Sequence, residues 1–186
     1  TGARVLVPFM HMTGVFAYAR RAGYQVLRVP YQTGRAAMYF VLPDPGQSLG
    51  DVEQRLRADG WPSLNSSRGL QEVSLALPKL HEEQTLDLGP VLRAMGMGIA
   101  LDRHRADFSG LVRDPARAGL FLAKATQTVY LAVDEEGTSA AAVTTGVMMP
   151  TAVRMTIRFV LDRPFVFLLR DEVSGSDLFA GWIAHP

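Results

Sequence analysis

Hydrophobicity along this chain repeats mainly at every second residue, and that period restricts the fold more than any other feature. The segments RVLVPFM, YQVLRVPY, AAMYFVLP, LQEVSLALP, LFLAKATQTVYLAV, VRMTIRFVL and PFVFLLR are rich in β-branched, aromatic and leucine residues and are bounded by Gly, Pro and Asp. Each reads as a strand. The short PYQTGRAA predicts a hairpin turning at Gln32 to Gly34. Helical signals are few. In SLGDVEQRLRADG, Ser48 is the expected N-cap with Asp51 three residues on, Val52 and Leu56 share a face, and Gly60 is the stop. In DLGPVLRAMGMG, Asp87 is the expected cap, Pro90 lies in the first turn, Val91, Leu92 and Met95 form the buried face, and Gly96 is the C-cap. With no internal repeat and no flexible linker, the chain reads as one continuous, β-rich α+β unit over residues 1–186.

One stretch does not fit an ordinary strand. From Gly137 to Val153, between Glu136 and Arg154, seventeen residues carry no charge: GTSAAAVTTGVMMPTAV. Exposed, such a segment is an aggregation hazard, because it can add itself to an open sheet edge. Buried, its alanines and threonines offer much less apolar surface than Leu, Ile or Phe, so hydrophobic gain alone does not place it inside. The run needs a special explanation.

Conventional chemistry is hard to find. The 19 basic and 18 acidic residues give no field for nucleic acid or anionic lipid. Without cysteine there is neither a disulfide framework nor a thiolate metal site or nucleophile. No apolar run reaches the roughly 18 residues of a membrane helix, and TGARVLVPFMHM lacks the pattern of a signal peptide. A soluble protein, extracellular or cytoplasmic, is expected. His11, His81, His104 and His185 stand far apart, with no metal-ligand spacing among them. LHEEQ reads as a solvated turn and DRHRAD as a wet, mixed-charge loop. GTSAA is a near miss for a nucleophile elbow, with Ala141 in place of the last Gly and no apolar helix after it. An enzyme is disfavoured, and neither cofactor nor metal is expected.

DEEGTSAAA resembles the reactive-loop hinge of the serpins, the serine protease inhibitor family. VPFMHMTGVFAYA, LRVPYQTGRAAMYFVLPD, LALPKL, ADFSGLV, LFLAKATQTVYLAVDEEGT, FVLDRPFVFLLRD and DLFAGWI follow in the order of that family. The resemblance covers nearly the whole chain but only the C-terminal half of a serpin, and the Cys-free, Arg- and Ala-rich composition is similar to that of a thermophilic prokaryotic member. It implies the C-terminal part of a serpin domain over 1–186, with strands of sheets A, B and C, two or three short helices, and the reactive-centre loop over 135–153. A second segment, the N-terminal half, is the expected partner. Without it, strand edges and apolar faces should lie open.

The resemblance also explains the uncharged run. A protease takes the loop as substrate, forms an acyl-enzyme, and is carried off as the cleaved loop enters sheet A, so the loop must tolerate water first and burial afterwards. Glu135, Glu136, Gly137, Thr138, Ser139, Ala140, Ala141 and Ala142 match the hinge. At period two, Thr138, Ala140, Ala142, Thr144, Gly146 and Met148 share one face. By the family's loop length the scissile bond follows the seventeenth residue from Glu135, which makes it Thr151–Ala152, with registers at Met148 or Met149 as alternatives. A small residue before the bond suits an elastase- or subtilisin-like protease, and VMMP adds contacts for a chymotrypsin-like one. Lys79 and Glu135 match a pair that latches the sheet where the loop enters; as ordinary surface charges they would contribute under about 1 kcal/mol. Gln127 stands where the family usually has His at the centre of the parting strands, and it cannot titrate near neutral pH. In the tail, Phe179 and Ile183 are expected core positions, while Trp182, His185 and Pro186 either reach the top of sheet A or fray. A charged, proline or bulky hinge residue, the mark of a non-inhibitory binding or carrier serpin, is absent from the hinge.

Overall fold

A computed structural model describes residues 8–60, 69–112, 119–133 and 155–186. Two compact units emerge, one from residues 1–80 with 133–186 and the other from residues 81–132.

The larger unit is a seven-stranded sheet in which strands near the middle are covered on both faces. The strands are β1 (Phe9–Arg21), β2 (Tyr24–Pro30), β3 (Ala36–Pro43), β4 (Leu70–Pro78), β7 (Ile157–Val160), β8 (Phe165–Asp171) and β9 (Asp177–Ile183), in the sheet order β7-β4-β1-β2-β3-β8-β9. All neighbours are antiparallel except β4 and β7. β2 and β3 read as continuous apolar runs rather than alternating ones, the pattern of strands buried on both faces. On one face Ala17, Tyr24, Val26, Ala37, Tyr39, Val41, Val166 and Leu168 pack with Val52 and Leu56 of helix α1 (Leu49–Asp59). Leu27, Val29, Phe40, Leu42 and Phe165 are also buried, and the rings of Phe40 and Phe165 meet edge to face at 6.0 Å.

Local chemistry places these elements as the residues indicate. Ser48 and Asp51 form the capping box of α1, and Gly60 ends it. The β2–β3 turn closes with Tyr31 N–H donating to the Ala36 carbonyl at 2.9 Å, with Gly34 at φ 66°. A Cβ on Gly181 would stand 2.8 Å from the Phe167 ring, so only glycine lets these paired strands keep that aromatic between them.

Five local readings need correction. β1 does not end at Met10 but runs to Arg21, because it pairs with β4 from Phe9 to Ala17 and with β2 from Ala17 to Arg21. Pairing on both sides carries it through the turn-like HMTG. The smaller unit holds β5 (Leu80–Asp87), helix α2 (Gly89–Ala94), a 3-10 turn at Met97–Leu101, a second at Ser109–Leu111, and β6 (Thr126–Val133); its strands begin and end in the other unit, at Leu80 and Val133. LHEEQ is therefore strand, held by the ladder to β6, not a turn. β6 starts at Thr126 rather than Leu120. The N-cap of α2 is Leu88, although Asp87 Oδ1 still accepts the Gly89 N–H at 2.9 Å, and Val91 and Met95 are exposed instead of buried. Phe179 is also exposed, since the pairing of β8 with β9 slips at that point, whereas Ile183 is buried.

Among the described residues two charged side chains, Arg28 and Asp171, are buried in the larger unit. Arg28 on β2 is 8% exposed and holds the Glu172 carboxylate bidentately, with Nε donating to Oε1 at 2.7 Å and the terminal nitrogen to Oε2. The Tyr39 hydroxyl donates to the same Oε1 at 2.6 Å. Arg28 holds the Glu172 carboxyl below its ordinary range, against the opposing effect of burial. Burial, then the bond to Glu172, pushes the Tyr39 phenol up to about 12, so it remains a donor. Because the folded carboxyl is depressed, its contribution is complete above the unfolded value of about 4.3 and is lost as pH falls through the folded value. Glu172→Gln should lower stability at neutral pH by about 3 kcal/mol, by leaving Arg28 buried without its charge partner. It should also flatten the loss of stability between about pH 5 and pH 3. Acid titrations of urea midpoints test this, and parallel curves for parent and variant would contradict it.

Candidate functional site

The uncharged run falls within residues 134–154, which lie outside the described residues, as do Glu135, Glu136, Gly137, Thr138, Ser139, Ala140, Ala141, Ala142, Thr151 and Ala152. What can be built is the anchor at each end.

The N-terminal anchor is β6. Its cross-strand contacts with β5 run in opposite senses: Tyr130 meets His81, the Thr128 hydroxyl lies 3.1 Å from that of Thr85, and the Ala125 carbonyl accepts Leu88 N–H at 2.9 Å. The pair is thus antiparallel. Tyr130 and His81 stack edge to face with centroids 5.1 Å apart, the Tyr130 hydroxyl 3.4 Å from Nδ1. Within this ribbon only Leu80 and Val133, both at the same end, are buried. A two-stranded ribbon is marginal by itself, so β6 has little holding it beyond β5 in this chain. Gln127 sits near its start, exposed.

The C-terminal anchor is β7. Four residues pair in parallel with β4, from Val73–Ile157 to Ala76–Val160. Phe159 points inward and is fully buried, its ring 6.4 Å from that of Tyr18. At the loop end the Thr156 hydroxyl donates to Glu72 at 3.2 Å, and at the other end Leu161 N–H donates to the Ala76 carbonyl at 2.9 Å. Met155, the first described residue after the run, is 89% exposed. The anchor is definite but short.

The other expected residues are spread. Lys79 lies exposed between β4 and β5, its backbone N–H donating to the Pro8 carbonyl at 3.2 Å. Trp182 is 62% exposed on β9, and His185 and Pro186 follow it. Since β1, β2, β3 and β8 stand between β4 and β9, strand pairing does not bring Trp182 to Lys79. Among the described residues no cluster of His, Asp or Glu is arranged to hold a metal. Two features escaped the sequence reading. Arg28 had a signal, as a lone charge in an otherwise apolar strand core. The Thr156–Glu72 tie had none, because it spans 84 positions.

Comparison with known proteins finds relatives along the whole chain. The profile of the family "Serpin (serine protease inhibitor)" matches residues 1–186. Human serpin B8 is 36% identical over 171 residues, covering 91% of this chain and 45% of its own. The crystal structure of Serpin48, a highly specific serpin of the insect Tenebrio molitor, superposes with a TM-score of 0.72 at 28% identity over 95% of this chain and 45% of that one. The thermophilic serpin tengpin in its native state gives a TM-score of 0.77 at 25% identity, over 100% of this chain and 48% of that one. The chain thus spans about half the length of the relatives it matches.

The uneven burial predicts uneven protection. In this chain, amides of β5 and β6 should exchange at least about 100-fold faster than those of β2, β3 and β8. Hydrogen exchange read by mass spectrometry tests this, and equal protection would show that the ribbon is held by something other than its own ladder.

Proposed function

The chain belongs to the serpin family, and on that premise we propose that it is the C-terminal part of an inhibitory serpin, a suicide substrate for serine proteases. The observation that carries this reading is the seventeen-residue run from Gly137 to Val153, uncharged on both faces, between β6 and β7. Small, uncharged side chains suit a segment that must stay soluble as a loop and later lie inside a sheet. Cleavage at Thr151–Ala152 would free the N-terminal part of the run, from the hinge to Thr151, to join β6 as a new strand. Each residue inserted gains ladder hydrogen bonds on both edges. The acylated protease is carried with Thr151, and its active site fails with displacements of about 1 Å. The N-terminal half of the same serpin supplies the strand on the other side of the insertion site. The proteases that fit a Thr before the bond are elastase- and subtilisin-like, with chymotrypsin-like enzymes admitted by the VMMP contacts.

Thr138 is the first side chain that must turn inward as the loop enters. Thr138→Arg would require burying an unpaired guanidinium, a cost of several kcal/mol that slows insertion. The acyl-enzyme then partitions to hydrolysis, and the inhibitor becomes a substrate. Ser139→Arg faces the other way and should be tolerated better. With the complete protein mixed with subtilisin or elastase, the parent should give an SDS-resistant covalent complex, and Thr138→Arg only cleaved chain. Cleavage of the parent without any complex would instead favour a binding or carrier serpin. Equal trapping by parent and both variants would remove the hinge assignment.

The same reading makes a thermal prediction. Insertion adds a central strand and relieves a strained state, so the complete protein cut near Thr151 should melt well above the intact one. Equal melting temperatures would count against inhibition by insertion.

A further inference from the structure

The face of β1, β4 and β7 beside the loop's C-terminal anchor carries three rows of side chains that neither the core nor the hinge explains. Arg158 pairs with Ser74, and Ser74 with Thr13. On one side of that row lie Thr156, Glu72 and Val15, and on the other Val160, Ala76 and His11. Opposed side chains are about 5 Å apart and rows about 7 Å, so the grid measures roughly 10 by 14 Å. Its reverse face, with Val73, Leu75, Leu77 and Phe159, is buried. The grid itself is mostly polar, and Arg158, Thr13 and His11 are exposed. The Glu72 carboxylate is engaged by the Thr156 hydroxyl, whereas Arg158 makes no ion pair among the described residues.

Building on the inhibitory reading, we propose that Arg158 and the hydroxyls beside it are a secondary docking contact for a carboxylate on the rim of the target protease, on the side where the residues after the scissile bond leave its cleft. The argument is one of reach. Six residues link Ala152 to Arg158, which spans at most about 21 Å. A protease of about 220 residues has a radius of gyration of about 17 Å and an outer radius near 22 Å. A protease holding the Thr151–Ala152 bond therefore brings its near rim over β7. The exposed charge it meets there is a cation flanked by the hydroxyls of Ser74 and Thr13. A carboxylate fits that trio, since Arg and hydroxyl donors together satisfy its oxygens. A contact of this kind speeds encounter and leaves the later partition between hydrolysis and trapping to the hinge.

The experiment uses the complete protein, with subtilisin and pancreatic elastase as the probes. For the protease trapped faster, Arg158→Glu should lower the association rate constant by about 10-fold at low ionic strength. The deficit should shrink toward parity near 1 M salt, where the Debye length is about 3 Å. Arg158→Lys should keep most of the parent's rate. The number of inhibitor molecules consumed per protease should stay the same in all three, a readout that a merely misfolded variant would not preserve. Association rates and salt slopes for Arg158→Glu that match the parent's with both proteases would overturn the docking contact while leaving inhibition standing. A parent that traps neither protease would remove the inhibitory reading and this contact with it.

Discussion

Burial of both faces of β2 and β3 is the constraint on which the larger unit depends. A strand covered on two sides has no polar face, so its sequence is a continuous apolar run, and its neighbours must supply cover above and below. α1 does so on one side, through Val52 and Leu56. The inner aromatics contribute on the other, with Phe40 against Phe165. Burying any one of these large side chains contributes about 1.5–3 kcal/mol, and the cover is mutual, so the strands form together or not at all. Arg28 is the exception inside this rule, tolerated because a carboxylate and a phenol saturate its donors' partner. Such a pair is weak as a source of net stability, whereas removing one partner is costly because it leaves the other charge buried alone.

The second unit follows the opposite rule. β5 and β6 are exposed along almost their whole length, and α2 shows Val91 and Met95 to solvent. An apolar surface left open on one unit and absent from the central strands of the other means that stability is unevenly distributed along the chain. The chain leaves the smaller unit after Ala132, and the uncharged run lies in sequence between Val133 and β7. If cleavage is to change the sheet, the change must happen where the structure is least committed, and that is the ribbon.

How much of this was legible in the sequence follows from which interactions are local. The capping box at Ser48 and Asp51, the hairpin at Gln32 to Gly34 and the glycine stop of α1 each depend on a few adjacent residues, and all were readable. β1 was misjudged because its length is set by two different partners, β4 and then β2, that are distant in sequence. LHEEQ was misjudged for the same reason: its charges read as a turn until β6 pairs with it. Val91 and Met95 were expected inside because periodicity reports which face is apolar, not whether anything covers it. The Thr156–Glu72 tie at β7 was not legible, as nothing local marks a hydrogen bond across 84 positions.

The two anchors differ in kind, and that difference bears on how such a loop can be used. At β7 the chain is fixed by a fully buried Phe159, four ladder positions and a side-chain tie, all within one unit. At β6 it is fixed by a ribbon whose buried residues, Leu80 and Val133, lie at one end only. Cutting a loop between a firm and a yielding anchor releases the two ends into different situations. The end at β7 is held by β4 and by the ring of Tyr18 on β1. The end attached to β6 continues an exposed strand whose outer edge has no ladder partner among the described residues, and a strand edge is a template for pairing. An ordinary strand edge is protected against such addition by charge or bulk; β6 from Thr126 to Val133 carries no charged side chain, and Asp134, Glu135 and Glu136 stand between it and the uncharged run.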